Sequence, residues 1–166
     1  RLLMNEGKSF DDALDIARRT FSYTNHTLMS EALETWDCEL FRSVIPNILD
    51  IIFRINDALH RELTSRGLPQ EKINSMYIVA DGRIHMARLA TFVSSYVNGV
   101  AQIHSGLLRT EVLKDWYDVY PERFQNKTNG VTQRRFLGLC NPALSTLIGS
   151  RIGYGFMTDL YELKKL

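Results

Sequence analysis

The sequence predicts an α-rich chain with a few short extended segments, built as part of an α/β or α+β layer. Two observations support this fold class. Apolar residues recur at helical spacing through most of the 166 residues, and a short apolar run that ends in a turn signal interrupts the helical patterns near the middle. These extended pieces argue against a free helical bundle.

The first helical pattern begins at Ser9. Ser9 and Asp12 have the spacing of a capping box, in which side chains satisfy the free backbone groups at the start of a helix. One face of this predicted helix is apolar and comprises Phe10, Ala13, Leu14, Ala17 and Phe21. The helix is predicted to end near Ser22.

A polar loop and a second helix are predicted next. Residues 23–29 carry the turn-forming and polar residues typical of a loop. Ser30 is a favourable N-cap, so we expect a helix to begin there. Glu31 and Glu34 would then lie in its first turn, where the helix dipole favours negative charge.

A long helical pattern runs from about residue 39 to residue 66. Pro46 is predicted to kink this helix or to start a new one, and Gly67 and Pro69 are predicted to end it. Its apolar stripe comprises Val44, Ile48, Ile51, Ile52, Ile55, Leu59 and Leu63. Residues 69–76 are predicted to form a further short helix.

The pattern changes after residue 77. Residues 78–80 form a short apolar run that ends in the turn signal Asp81-Gly82, which predicts a strand. Residues 84–94 are apolar with small side chains, and we expect a strand or a tightly packed core segment. Asn98-Gly99 is predicted to form a turn that precedes another helix.

The last third of the chain is again helical. Residues 113–124 are rich in aromatic side chains, for which Phe92 is an expected packing partner. A helical pattern over 132–152 is interrupted near Asn141-Pro142, and Thr158-Asp159 is predicted to cap a final helix. Because neither end of the sequence carries a start or stop signal, we expect a piece of a longer protein.

Composition and charge narrow the possible functions. The net charge is +1, which gives no electrostatic reason to expect nucleic acid or an anionic membrane as partner. No apolar run is long enough to span a bilayer. Cys38 and Cys140 are too few for a disulfide framework, and we expect both to be reduced core cysteines of a cytosolic protein.

Motifs for common cofactors and metals are missing from the sequence. It contains no glycine-rich dinucleotide or phosphate loop, and its four histidines lack the spacing of metal ligands. A metal hydrolase would need distant residues to converge, and the set to consider is His60, His85, His104 and Asp81.

The segment Tyr23-Thr-Asn-His-Thr27 admits three interpretations. It is a loop whose Asn and Thr side chains cap the backbone, or it holds a core histidine with satisfied hydrogen bonds. Alternatively, it forms a pocket for a sugar or a phosphate. Imidazole, amide and hydroxyl groups together supply the donors and acceptors that sugar hydroxyls need. The later segment Lys127-Thr-Asn-Gly130 has the same chemistry, and its glycine permits close approach of a ligand to the backbone.

Four separated motifs resemble the α-glucan phosphorylases, which act on glycogen, starch and maltodextrin, and resemble their bacterial members most. They are, in order, 23–36 (YTNHTLMSEALETW), 97–105 (VNGVAQIHS), 124–136 (FQNKTNGVTQRRF) and 140–144 (CNPAL). Ser30 and Gln133 depart from the family pattern, since many members carry proline there. We expect neither position to touch the substrate.

The resemblance implies a fold and a domain organisation. Members of this family have two large Rossmann-like domains, so the chain would be an α-rich α/β fragment of a two-domain glycosyltransferase. Residues 1–128 would be the C-terminal part of the N-terminal domain. Residues 129–166 would be the linker and the start of the C-terminal domain, which carries the cofactor.

The resemblance also implies an activity and site residues. The family cleaves a terminal α-1,4-linked glucose from a glucan with inorganic phosphate and releases glucose 1-phosphate, and its members are cytoplasmic homodimers. By similarity, His26 and Asn129 would hydrogen-bond the glucose 6-hydroxyl, and Val100 would pack beside the sugar. Thr27, Ala32 and Glu34 would line the channel by which the glucan arrives.

The family's cofactor is pyridoxal phosphate, whose phosphate group exchanges a proton with the substrate phosphate. The lysine that binds it has no counterpart in this sequence, so we expect no cofactor on this chain and no activity from the chain alone. The alternative from another class is a non-catalytic helical module that binds a glucan or a protein.

Overall fold

A computed structural model describes all 166 residues, which form two compact units, Arg1–Thr128 and Asn129–Leu166. The predicted α-rich α/β class is confirmed, because helices dominate and the strands are few and short. The identity of the units as parts of two larger domains stays a prediction. The nine α-helices are α1 (Leu2–Asn5), α2 (Phe10–Thr20), α3 (Cys38–Val44), α4 (Pro46–Ser65), α5 (Gln70–Met76), α6 (Met86–Phe92), α7 (Gln102–Leu107), α8 (Lys114–Val119) and α9 (Pro142–Ile152).

Six strands form two three-stranded sheets in the first unit. The strands are β1 (Tyr23–Thr24), β2 (Thr35–Asp37), β3 (Val79–Ala80), β4 (Arg83–His85), β5 (Val97–Gly99) and β6 (Phe124–Asn126). One sheet is parallel, with the order β1-β5-β6, and the other is antiparallel, with the order β2-β4-β3.

The central strand of the parallel sheet, β5, replaces a predicted turn. Asn98 pairs with Thr24 on one side, and Gly99 pairs with Asn126 on the other, so Asn98-Gly99 is extended. The prediction of a turn there was wrong because pairing on both sides of the strand outweighs the local preference of Asn-Gly. The helix predicted to follow is confirmed as α7.

The antiparallel sheet corrects two further predictions. No helix extends from Ser30, since a single 3₁₀ turn, Ser30–Ala32, is followed by strand β2, and Met29 takes the N-cap position. Pairing of Thr35 with His85 in β4 draws this segment into the sheet. Residues 84–94 are extended only to His85, and α6 then begins at Met86, so the alternative of a strand was wrong. None of these residues is exposed, which confirms the alternative of a tightly packed core segment.

Local signals predicted the helix ends correctly. The Ser9 hydroxyl accepts the backbone N–H of Asp12 at 3.1 Å, which caps α2. Pro46 starts α4 at its first position rather than kinking a longer helix. Gly67 has a φ of +75°, a left-handed conformation that ends α4. The Asp159 carboxylate accepts the N–H of Tyr161 and caps a final 3₁₀ helix, Leu160–Lys165.

The core of the first unit forms around α4, α5 and α8. Leu49, Leu59 and Leu63 of α4 are fully buried. Phe92 and Trp116 lie with their ring centroids 6.3 Å apart, and Trp116 stacks on Tyr120 at 6.2 Å. The predicted partnership of Phe92 with the aromatic segment is therefore confirmed.

A charged network crosses one side of this core. Arg18 pairs with the Glu62 carboxylate at 2.8 Å, and Arg66 pairs with it at 3.3 Å. The Tyr120 hydroxyl donates to the same carboxylate at 2.8 Å. Because these partners come from α2, α4 and the segment after α8, the network ties three elements together.

The second unit is small and mostly helical. A π-helical segment, Arg134–Leu139, precedes α9, and the Asn141 side chain caps α9 by accepting the N–H of Leu144. The predicted interruption of the helical pattern at Asn141-Pro142 is confirmed. Cys140, just before it, is exposed, so the prediction of a core position was wrong for Cys140, whereas Cys38 is buried as predicted. None of the helices in the chain combines the length and apolar character needed to cross a membrane.

Candidate functional site

Three loops that carry the recognised motifs leave the parallel sheet at the same edge. β1, β5 and β6 run in one direction, so their carboxyl ends lie side by side. The loop after β1 carries His26, the turn after β5 carries Val100, and the loop after β6 carries Lys127 and Thr128. The carboxyl edge of a parallel sheet is where α/β proteins bind ligands.

The His26 loop is held by the buried side chain of Asn25. The Asn25 amide donates to the Tyr23 hydroxyl at 3.1 Å, and its carbonyl oxygen accepts the N–H of Thr27 at 2.9 Å. The backbone N–H of Asn25 donates to the carbonyl of Asn98 on the central strand at 2.9 Å. These bonds span His26 from both sides and fix the path of its backbone.

His26 itself is exposed, and its ring makes no hydrogen bond within the chain. The interpretation of this residue as a satisfied core histidine is therefore wrong. The capping interpretation applies to its neighbour, since Asn25 satisfies the N–H of Thr27. Both ring nitrogens of His26 remain available to a ligand, and a neutral imidazole offers one donor and one acceptor.

A cleft of about 390 Å³ opens beside this loop. This volume lies in the range of ligand clefts, roughly 300–1,000 Å³. Its wall brings together four of the residues predicted from the sequence, which are His26, Thr27, Ala32 and Glu34. The complete lining is Tyr23, Thr24, Asn25, His26, Thr27, Ala32, Leu33, Glu34, Met86, Ala87 and Ala90.

The cleft has one polar wall and one apolar wall. The polar wall is the β1 loop, and the apolar wall is formed by Ala32, Leu33 and the α6 residues Met86, Ala87 and Ala90. Glu34 is the one Asp, Glu, Lys or Arg in the lining, and its carboxylate accepts a hydrogen bond from the indole of Trp36. Such a surface suits a neutral ligand with hydroxyl groups and an apolar face better than it suits an anion.

Tyr23 contributes a neutral hydroxyl to this region. Burial raises the pKa of the Tyr23 phenol above its ordinary value, the hydrogen bond with Asn25 lowers it in part, and the nearby Glu34 carboxylate raises it further. The phenol therefore stays protonated at neutral pH. Its oxygen remains free to accept the Asn25 amide.

The loop after β6 is held by a chain of side-chain hydrogen bonds. The Ser105 hydroxyl donates to the Asn126 carbonyl oxygen at 2.7 Å, and the Asn126 amide donates to the Thr128 hydroxyl at 3.0 Å. The backbone N–H of Lys127 donates to the carbonyl of Gly99 at 3.1 Å. The loop thus stays in register with β5 up to Thr128.

Val100 and Asn129 lie outside the lining of this cleft. Val100 stands at the carboxyl end of β5, at the same edge of the sheet as His26. Asn129 directly follows Thr128 in the chain and is the first residue of the second unit. The ligand-binding roles of all six predicted residues stay predictions. Asn98, a buried residue on β5, was missed as an anchor, although it belongs to a recognised motif.

A second cleft, of about 360 Å³, is lined almost entirely by apolar side chains. It lies between α2 and α4, and Phe10, Leu14 and Ile52 are among its walls. Only Arg1 offers a polar side chain there. This cleft lacks the convergent polar groups that orient a sugar, so the cleft beside β1 is the better candidate site of the two.

The β1 cleft does not fit pyridoxal phosphate. Its lining contains no lysine to form a Schiff base and no arginine or lysine to bind the cofactor's phosphate. Lys72 and Lys114 are occupied by ion pairs with Asp118, at 2.8 and 2.9 Å. No three His, Cys, Asp or Glu side chains of the chain come together as ligands for a metal.

Similarity to known proteins extends over the full chain. A family model described as carbohydrate phosphorylase matches residues 1–166. The brain form of glycogen phosphorylase from Bos taurus is 46% identical over 172 residues, which cover 100% of this chain and 20% of that protein. The brain form from Rattus norvegicus is 45% identical with the same coverage.

The muscle form of glycogen phosphorylase from Homo sapiens is also similar. It is 44% identical over 171 residues, which cover 100% of this chain and 20% of that protein. The chain therefore spans about a fifth of the length of the curated relatives it matches.

Proposed function

Because this chain belongs to the carbohydrate phosphorylase family, we propose that the protein containing it is an α-glucan phosphorylase. That protein cleaves the terminal α-1,4-linked glucose of a glucan with inorganic phosphate and releases glucose 1-phosphate. We assign to this chain the binding of the terminal glucose. Residues 1–128 would close the N-terminal domain, and residues 129–166 would begin the C-terminal domain.

The observation that supports this proposal most is the meeting of three motif-bearing loops at one edge of the parallel sheet. The cleft there combines a polar wall with an apolar wall, and a pyranose likewise has a hydroxyl rim and an apolar face. Glu34 is the only Asp, Glu, Lys or Arg residue in the lining, and such a surface matches a neutral sugar.

His26 is proposed to recognise the glucose 6-hydroxyl together with Asn129. Its exposed ring has both nitrogens free, and its backbone is fixed by Asn25. An imidazole and a carboxamide supply matching donors and acceptors to one hydroxyl. A hydroxyl paired in this way discriminates strongly against sugars that lack it, because the protein groups are then left unpaired.

The remaining predicted residues shape the approach to this position. Thr27 and Glu34, which line the cleft, are proposed to guide the arriving glucan, and Val100 is proposed to pack beside the sugar. These contacts position the substrate, and the proton transfers belong to groups elsewhere in the longer protein.

Pyridoxal phosphate is proposed as the cofactor of the longer protein and not as a ligand of this chain. The β1 cleft has no lysine or arginine, which supports the proposal that other segments supply the groups that bind the cofactor. Incubation of the isolated chain with pyridoxal phosphate, maltoheptaose and phosphate should therefore give no glucose 1-phosphate above the blank. We also expect the longer protein to be a cytoplasmic homodimer, as its family implies.

Substitution in the full-length protein tests the glucose-binding role. His26→Ala and Asn129→Ala should each lower kcat/KM for a normal glucan by about tenfold or more, which corresponds to the loss of a hydrogen bond worth about 1.4 kcal/mol. The loss should be much smaller for a glucan that ends in 6-deoxyglucose. Asn47→Ala, at an exposed position of α4, is the matched control. Equal losses on both glucans would refute the 6-hydroxyl role.

A further inference from the structure

The side chain of His104 makes a hydrogen bond to the backbone just ahead of α7. It lies in α7, and its Nδ1 atom accepts the backbone N–H of Val100 at 3.2 Å. Because a backbone N–H can only donate, Nδ1 carries no proton in this contact. The neutral ring then holds its proton on Nε2, which is buried and has no partner within the chain.

The ring of His104 also packs directly on the end of β5. A Cβ atom added at Gly99 would collide with His104 Nδ1 and with the Ser105 hydroxyl, and it would lie 2.9 Å from Ser105 Cα. Real Cβ atoms do not approach other atoms so closely, so only glycine fits at this position. The close approach presses the carboxyl end of the central strand against the start of α7.

The contact between His104 and Val100 lies in the middle of the sheet edge that carries the candidate site. β5 is the central strand, with the His26 loop following its neighbour β1 and the Lys127 loop following its neighbour β6. Val100 is the residue at which the chain leaves β5. The His104 ring is the only hydrogen-bond acceptor of the Val100 N–H within the chain.

The next residue of α7 has a parallel role. The buried Ser105 hydroxyl donates to Asn126, which in turn donates to Thr128 in the loop after β6. Adjacent residues of α7 thus hold two of the three loops at this edge.

We propose that His104 is a positioning residue for glucan binding, which acts through Nδ1 on the backbone of Val100. The proposal rests on the proposed phosphorylase function, because it concerns the same site. His104 does not touch the sugar in this scheme. It keeps the β5 turn in the conformation in which Val100 packs beside the glucose.

Two isosteric variants of the full-length protein separate this role from simple packing. In His104→Asn, the amide oxygen takes the place of Nδ1 and can still accept from Val100. In His104→Gln, the amide reaches the place of Nε2 and leaves the Val100 N–H without an acceptor. We expect kcat/KM for maltoheptaose to stay within about threefold for the Asn variant and to fall about tenfold or more for the Gln variant, with similar Tm values.

A second pair of variants disturbs the same contact from the side of Gly99. Gly99→Ala forces the His104 ring away and should lower kcat/KM for maltoheptaose as the Gln variant does. Gly106→Ala, in the same helix, adds a Cβ that meets no atom within 4 Å and should leave activity unchanged.

The possible outcomes distinguish this inference from the proposed function. Any of three results would overturn the role of His104 and leave the proposed function untouched. They are equal losses of kcat/KM in the Asn and Gln variants, losses of kcat/KM that parallel losses of Tm in both variants, and full activity of Gly99→Ala. A wild-type full-length protein without phosphorolysis would overturn the proposed function and this inference together.

Discussion

The Tyr120 hydroxyl donates a 2.8 Å hydrogen bond to the Glu62 carboxylate, which lies 58 positions earlier in the chain. Tyr120 is fully buried. Tyr120→Phe keeps the packing of the ring and removes only this bond. We expect the free energy of unfolding to fall by about 1–3 kcal/mol, since the bond to a charged group is lost. Urea denaturation measures the change.

Tyr117→Phe is the control for this substitution. Tyr117 packs edge-on against Phe124, at 5.4 Å between ring centroids, and its hydroxyl makes no hydrogen bond within the chain. Its removal should change the free energy of unfolding by less than about 0.5 kcal/mol. Equal effects of the two substitutions would contradict a special role for the Tyr120 hydroxyl.

Stability should depend on pH through Glu62. Burial by itself would raise the pKa of the Glu62 carboxyl, but the ion pair with Arg18, the hydrogen bond from Tyr120 and the charge of Arg66 hold that pKa below its ordinary value. A carboxyl with a lowered pKa in the folded state stabilises the fold above its unfolded pKa. This contribution is lost as the pH falls through the folded-state pKa.

Glu62→Gln tests this pH dependence. Gln keeps the shape of the side chain but cannot ionise, so the variant should be less stable than wild type near pH 6. The difference in unfolding free energy should shrink as the pH is lowered to about 3. If the unfolding free energies of the two proteins ran parallel over this pH range, that result would argue against a lowered pKa of Glu62. Asp15→Asn, which removes an exposed ion pair with Arg19, should change stability by at most about 1 kcal/mol.

Asn25 should stabilise the loop that carries His26. Asn25→Ala removes the hydrogen bonds to the Tyr23 hydroxyl and from the Thr27 N–H, and leaves the latter group without its partner. We expect a loss of about 1–3 kcal/mol in the free energy of unfolding. Asn47→Ala removes an exposed amide with no hydrogen-bond partner in the chain and serves as control. Comparable losses in both variants would show that the loop needs no anchor.

The end of α4 offers a test of backbone strain. Gly67 adopts a φ of +75° in open space, so an added side chain meets strain but no steric clash. Gly67→Ala should lower the free energy of unfolding by about 1 kcal/mol. Gly67→Asn should cost less, because asparagine tolerates the left-handed conformation better. Thermal denaturation that ranks Ala at or above Asn would exclude this explanation.

The elements predicted correctly from the sequence are those with local causes. Ser9, Pro46 and Gly67 act within one helical turn, so their effects are visible in the sequence alone. The errors at Ser30 and at Asn98-Gly99 have a different origin. Asn98-Gly99 and the residues Thr35–Asp37, which follow the turn at Ser30, are strands because distant parts of the chain pair with them. No local pattern contains that information.

The candidate site was predicted in part for the same reason. The motif around His26 identified the exposed residues of the cleft, and Thr27 and Glu34 do lie on its wall. The bond from the Asn25 N–H to the Asn98 carbonyl was missed, because this partner lies on a strand more than 70 positions away. A polar residue in a loop motif gives no sign of whether it faces a ligand or supports the backbone beneath.

The parallel sheet also has a consequence for the order in which the protein folds. The bond between Thr24 and Asn98 joins residues 74 positions apart, and β6 is added later still. Contacts between such distant residues form slowly, because a long loop loses conformational entropy before the strands can pair. During synthesis, the His26 segment therefore lacks its hydrogen-bond partners on β5 until most of the first unit has left the ribosome.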